Sequence, residues 1–180
     1  MKKYREQKNQ ERTKLIHEAV LITRDLGEVV FLGAVAVFLH TRSGRESQDL
    51  DFVIVTPLTD EQLERKGYSK RREGQDEIRR TPNGYKIDIF QNEPINRIPI
   101  STIIETAVYL PAKRTKLKVV SLEVLILMKV RTAREQDRED IDVIVKERYH
   151  YIDWVKFKSL TESKTEYSSI HNAVDFIYNN

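Results

Sequence analysis

A chain of 180 residues and 21.2 kDa holds one hydrophobic core with a helical appendage and excludes a multidomain architecture. Hydrophobic residues at 39% are too many for a disordered tail, and charged residues at 33% are too many for a membrane protein. The longest apolar run, Val29 to Leu39, falls far short of the roughly 18 residues a membrane span needs. The opening stretch, Met1 to Lys14, is almost wholly polar and has no signal-like apolar segment, so the sequence predicts a soluble, cytoplasmic protein without a membrane partner. No cysteine is present, which removes disulfides, thiolate nucleophiles and cysteine-ligated metals. The four histidines, His17, His40, His150 and His171, lie far apart and show no metal-ligand spacing. Any metal is therefore expected to be hard and oxygen-ligated.

In chain order, the first element is a helix over 14–26, where Leu15, Ala19, Ile22 and Leu26 share one stripe and Gly27 stops the run. Residues 28–32 read as a short buried strand and 34–40 as a helix packed on it. Arg42 to Gln48 is a polar loop, and Asp49 to Val55 a strand that Thr56-Pro57 ends. Residues 59–66, opening on Thr59-Asp60-Glu61, predict a short capped helix. Tyr68 to Arg80 is polar and basic, Pro82-Asn83-Gly84 makes a turn, and Tyr85 to Phe90 is a strand, so this region predicts a hairpin with an exposed first arm. After a proline-punctuated connection, 118–120 supplies one more strand. Ser121 has the chemistry of an N-cap for a helix to about Arg134, and helices over 137–148, 153–160 and 166–178 follow. Strands mixed with helices, then helices alone, indicate an α+β fold.

The net charge is only +3, yet its distribution is uneven. Residues 1–14 carry six Lys/Arg against two acids, 65–80 seven against three, and 111–120 four against none; 135–180 carry ten acids against six bases. Clustered cations suit a polyanionic partner, because counterion release rewards them, although each run also reads as an ordinary solvated face.

The most informative stretch is Asp49-Leu50-Asp51-Phe52-Val53-Ile54-Val55, where two acids open an apolar strand. Side-chain alternation sets both on one face, about 7 Å apart along the strand, and from there two carboxylates can embrace cations about 4 Å from each other. Tyr85-Lys86-Ile87-Asp88-Ile89-Phe90 repeats the anomaly with one acid between isoleucines. The plainer reading puts these acids at strand ends in water or paired with arginine; leaving them unpaired on a core strand would be costly.

Leu32-Gly33-Ala34, then Arg45-x-Ser47-x-Asp49-x-Asp51, then Asp88 in an apolar strand, resemble the nucleotidyltransferase superfamily typified by DNA polymerase beta. Leu122 to Lys129, followed by Arg134, Asp137, Asp140 and Ile141, is similar to the downstream elements of its AbiE-type abortive-infection toxin branch. The resemblance covers roughly 28–145 and rests on the order and spacing of short motifs. It implies a nucleotidyltransferase-like mixed β-sheet flanked by helices, with a core and N-terminal helix over 1–120 and a helical part over 121–180 packed on it.

It also implies transfer of a nucleoside monophosphate from a nucleoside triphosphate to an acceptor hydroxyl, with release of pyrophosphate. Asp49 and Asp51 would hold Mg²⁺, and Asp88 would ligate the metal that activates the acceptor. Gly33, Ala34, Arg45, Ser47, Lys129 and Arg134 would bind the nucleotide. The family's usual Gly-Ser or Gly-Gly is here Gly33-Ala34, so no hydroxyl is available at Ala34. Candidate acceptors are transfer RNA, favoured by the basic segments, a protein hydroxyl, or a small molecule, and the toxin branch adds a cognate antitoxin.

Lys129 falls on the apolar stripe of its helix, where it meets phosphate, pairs with an acid, or snorkels to water. Arg134 reads as a phosphate ligand or a helix-end charge. Asp137 and Asp140 read first as helix-start capping and dipole groups. Tyr85, Trp154 and Phe157 have the chemistry to stack on bases, though lone aromatics at apolar positions are usually core. From other classes, a catalytically inactive nucleotide- or RNA-binding module of the same fold and a metal-dependent nuclease stay open.

Overall fold

The computed structural model describes residues 2–44, 47 and 49–180, with side chains from residue 10 onward. Arg45 therefore lies outside the described residues. A 25-residue helix, α1 (Lys2–Leu26), precedes β1 (Val29–Phe31), α2 (Gly33–Thr41), β2 (Asp49–Ile54) and α3 (Asp60–Arg65). Then come β3 (Ser69–Glu73), β4 (Asp76–Arg80), β5 (Lys86–Phe90), α4 (Ile100–Thr106), β6 (Val108–Ala112) and β7 (Thr115–Val119). The remainder is helical: α5 (Leu122–Thr132), α6 (Glu135–Arg148), a 3₁₀ turn over Tyr149–Tyr151, α7 (Trp154–Leu160) and α8 (Lys164–Asn179).

The seven strands form one mixed sheet in the order β3-β4-β5-β2-β1-β7-β6. β2 runs parallel to β5 and antiparallel to β1, and β1 meets β7 in parallel. The centre of the sheet is the core: Val30, Phe31, Leu50, Phe52 and Val53 are fully buried, with the Phe31 and Phe52 rings 5.7 Å apart. Ala19 and Ile22 of α1, Val35 and Ala36 of α2, Leu125 and Leu127 of α5, and Ile144 of α6 join the same core. The α+β class follows.

Local chemistry explains the boundaries. Thr59 and Gln62 form a reciprocal capping box on α3, and the Ser121 hydroxyl accepts from Val124 N–H at the start of α5. α1 extends through the polar opening because Lys, Arg, Glu and Gln are good helix formers and need no apolar stripe.

Three expectations are corrected. The expected hairpin across 82–84 forms, with β4 antiparallel to β5 at Arg79↔Ile87 and Arg80↔Lys86, but its first arm is itself a hairpin: a two-residue loop carries Gly74 at φ 67, so Glu73 pairs with Asp76 and Ser69 with Arg80. The proline-punctuated connection contains α4 and β6, and β6 pairs with β7 from Val108↔Val119 to Ala112↔Thr115. α5 stops at Thr132 because Ala133 turns left-handed at φ 52, and α6 begins at Glu135 with Arg134 at its N-cap.

Phe157 is buried, and Trp154 packs on Phe157 and His171 with ring centroids 5.5 and 4.3 Å away, which makes these rings packing groups under α7 and α8. Among the described residues no helix is long and apolar enough to cross a membrane.

Candidate active site

The register of β2 against β5 sets Asp51 opposite Asp88, with Asp49 opposite Lys86. Because side chains alternate along a strand, Asp49, Asp51, Lys86 and Asp88 all stand on one face of the sheet. Leu50, Phe52 and Ile87 alternate with them and are buried. The apolar half of each strand anchors the acids to the centre of the sheet.

α2 begins beside the middle acid. Gly33 sits at φ 49, and a Cβ there would collide with Oδ2 of Asp51, so glycine is required both by its backbone conformation and by the close carboxylate. Leu32, the N-cap, offers no side-chain bond to the helix, and its own N–H donates to the Asp51 carbonyl at 2.8 Å. Burial, first, and then the charges of Asp88 and Asp49 push the Asp51 carboxyl up to about 6; the Lys129 and Arg134 cations pull the other way and lose.

These residues line a cleft of about 340 Å³. Gly33, Ser47, Asp49, Asp51, Lys86, Asp88, Lys129 and Arg134 supply its charged and polar side, and Phe90, Ile95, Leu125 and Met128 an apolar wall. Gathering all three acids, Gly33, Ser47, Lys129 and Arg134 into one cleft unites residues from β2, β5, α2, α5 and the α5–α6 junction. Ala34 is buried and is not among the lining residues. The Ser47 hydroxyl stays close to its own strand, 3.3 Å from both the N–H and the carbonyl of Asp49.

Lys129 is buried, and its ammonium donates to Asp137 Oδ1 at 3.1 Å and Asp140 Oδ2 at 2.6 Å. Arg134 donates from Nε to Asp137 Oδ2 at 2.8 Å. Burial alone would raise the Asp137 carboxyl, but the hydrogen bonds from Arg134 and Lys129 hold it below the usual carboxylate range. Asp137 and Asp140 are therefore not caps: they are buried counter-ions that fix Lys129 across the α5–α6 elbow. The helix-start reading holds for Asp137 in its placement in the first turn of α6, but the carboxylate is taken up by Lys129 and Arg134 rather than by backbone N–H groups of the helix.

Sequence reasoning missed Lys86 and Asn96. Lys86 Nζ lies 3.9 Å from Asp49 Oδ2, and its place two residues before Asp88 on one strand face was the available signal. Asn96 lines the cleft from a turn in which Asn96 and Arg97 are both left-handed, held by Asn96 Nδ2 donating to the Met128 carbonyl at 3.2 Å; nothing in the pattern marked it.

The donor set is all carboxylate, which fits a hard cation such as Mg²⁺ and no soft one. Burial lifts Asp51 most, and the charges of Asp88 and Asp49, which add to it, are what a bound cation would offset. Among the described residues no three acids are drawn together closely enough to hold an ion. The backbone register nevertheless faces Asp51 toward Asp88, with Asp49 on the same face of the sheet.

Among the described residues, four of the seven cations in the basic arm of 65–80 are paired with carboxylates, two of them with the same Asp60. Lys70 and Arg79 each reach Asp60 at 2.6 Å, Arg80 reaches Glu73 at 2.7 Å, and Arg65 pairs with Glu61.

No curated protein matches the chain. Among solved structures it is similar to an antigenic nucleotidyltransferase-like protein from Paracoccidioides brasiliensis, with a TM-score of 0.55 and 19% identity over 76% of this chain and 74% of that one. That likeness concerns the fold. Residues 13–177 match the family described as nucleotidyl transferase of unknown function (DUF2204), and the chain belongs to that family.

Proposed function

We propose that the protein is a Mg²⁺-dependent nucleotidyltransferase that moves a nucleoside monophosphate from a nucleoside triphosphate to a hydroxyl acceptor. The observation that carries this reading is the register that faces Asp51 toward Asp88 with Asp49 on the same face, beside a helix that begins at Gly33. Asp49, Asp51 and Asp88 would hold the metal, which when bound neutralises triphosphate charge and polarises the acceptor hydroxyl. Gly33 lets the Asp51 carboxylate approach the start of α2, which has no side-chain cap, so the metal site and the positive end of that helix lie side by side for the triphosphate. Lys86 and Arg134 face the phosphates with positive charge, and Lys129, bonded to Asp137 and Asp140, fixes the α5–α6 wall that carries Arg134. The apolar wall of Phe90, Ile95 and Met128 seats the base and ribose. Asp88 receives the proton of the acceptor. Phosphoryl-type transfer asks mainly for positioning and charge neutralisation, and this cleft offers both.

The AbiE-type resemblance extends the proposal to a toxin acting in the cytoplasm on transfer RNA or a protein hydroxyl and restrained by a cognate antitoxin.

The test is incubation of purified protein with α-labelled nucleoside triphosphates, Mg²⁺, total RNA and total protein, beside an Asp49→Ala, Asp51→Ala double variant. Label should pass to an acceptor with the parent and not with the variant. Transfer that survives the double substitution overturns the metal assignment. Nucleotide binding without transfer marks an inactive binding module, and RNA breakdown without label marks a nuclease.

A further inference from the structure

We propose that the acceptor is an extended polypeptide segment, seated on the open edge of β5, that presents a Ser, Thr or Tyr hydroxyl to Asp88. This names the substrate of the site just described and rests on the nucleotidyltransferase reading.

A second groove, of about 470 Å³, runs between α3 and the β4–β5 edge and joins the cleft at Asp88 and Phe90, which line both. It exists because two strands part company. β4 follows β3 in register to the Gly74 loop, and it pairs with β5 only at Arg79↔Ile87 and Arg80↔Lys86. β5 continues along β2 as far as Val53↔Phe90. Tyr85 gives its carbonyl to Thr81 N–H on the β4 side, so the main-chain groups of Ile87 and Ile89 point the same way. Ile87 has its β4 partner and Ile89 has none. A strand edge with open N–H and C=O groups accepts an added strand, with main-chain bonds for affinity and alternate side chains for selectivity. Here that edge lies one residue from the acid proposed to take the acceptor's proton.

The charges of the groove fit a peptide better than a nucleic acid. Lys70 is held by Asp60 at 2.6 Å and Glu77 at 3.4 Å, while Arg79 is held by Asp60 at 2.6 Å and the Tyr68 carbonyl at 2.7 Å. With Asp88 added, the lining has two cations against three acids. A phosphodiester backbone would release few counterions there and would meet net negative charge. A neutral peptide backbone avoids that repulsion and matches the open groups of Ile89.

In the step itself, the acceptor's side-chain oxygen bonds to the α-phosphorus as the bond from that phosphorus to the bridging oxygen breaks. Pyrophosphate leaves, the hydroxyl proton passes to Asp88, and the peptide carries the nucleoside monophosphate as a phosphodiester.

The test uses the full chain, α-labelled nucleoside triphosphates with Mg²⁺, a pooled library of synthetic octapeptides each holding one Ser, Thr or Tyr, and total transfer RNA in parallel. Two variants accompany it: Ile89→Pro, which removes the open N–H from an edge position that tolerates proline, and Glu77→Trp, which fills the exposed rim of the groove. Label is expected on peptides, with Ile89→Pro losing about tenfold, the equivalent of one main-chain hydrogen bond, and Glu77→Trp losing about as much by obstructing the groove, while calorimetric nucleotide binding stays within about twofold of the parent. The peptides should also slow hydrogen exchange at the Ile89 amide. Label on transfer RNA alone, or nucleotide binding with no peptide labelling, overturns the peptide acceptor and leaves nucleotide recognition standing. Absence of nucleotide binding removes the underlying reading, and this proposal with it. If Ile89→Pro does not fold, Glu77→Trp decides alone, because Glu77 is solvent-exposed.

Discussion

Asp51 is the residue on which folding and function pull apart. Its carboxyl is lifted from 3.8 to about 6 by burial and by two neighbouring acids. A folded-state value above the unfolded one means that the protonated acid favours folding below about pH 4 and that this contribution is lost as pH rises through about 6. By pH 7.5 the loss is on the order of 3 kcal/mol. Asp51→Asn should therefore be more stable than the parent at pH 7.5 by about 2 kcal/mol, with the difference shrinking toward pH 4. Urea denaturation at both pH values measures this; equal stabilities at pH 7.5 would contradict it. On the proposed function, added Mg²⁺ should stabilise the parent at pH 7.5 and leave the variant unchanged. Gly33→Ala should lower stability by about 1–2 kcal/mol through its left-handed backbone and displace the Asp51 carboxylate. Calorimetry should then find nucleotide binding lost while thermal melting still shows a folded protein. The acids themselves were legible in sequence because carboxylates on an apolar strand need a reason. The role of Asp137 was not, because a first-turn aspartate has the same signature whether it faces water or a buried ammonium.

Among the elements, the α5–α6 pair is the second wall of the cleft, and its internal glue is the Lys129, Asp137, Asp140 triad. Lys129→Met keeps the length and the apolar stem but removes the ammonium that both carboxylates accept from. Breaking a buried pair by deleting one partner costs about 3–5 kcal/mol, so urea denaturation should show a loss of that order. A cost under about 1 kcal/mol would mean that the triad is solvated in solution. Elements with a strong local signal were legible: the Leu15, Ala19, Ile22 stripe, the Thr59 capping box and the Ser121 cap each fix a helix by chemistry within one or two turns. β6 and α4 were not, because their residues are half-buried and carry no clean period; pairing with β7 and packing against the core decide their state.

For the molecule as a whole, the buried residues of sheet and helices form one cluster that runs from Leu15 in α1 to Val174 in α8. A shared core predicts one cooperative transition. Trp154, the sole tryptophan, reports on α7 and α8, whereas far-UV circular dichroism reports on the whole backbone. Their urea transitions should coincide; an earlier fluorescence midpoint would show that the C-terminal helices melt separately. The α+β class was readable from the order of strands and helices, but the sheet order was not, since a short strand's pattern does not name its neighbours. The elbow at Ala133 carries a last consequence. One dihedral at φ 52 sets the angle between the arm that bears Lys129 and the arm that bears its two counter-ions, and Arg134 follows directly. The electrostatic character of the cleft mouth is thus encoded in backbone torsion as well as in charged side chains, and a β-branched residue at 133 would retune it without altering a single formal charge.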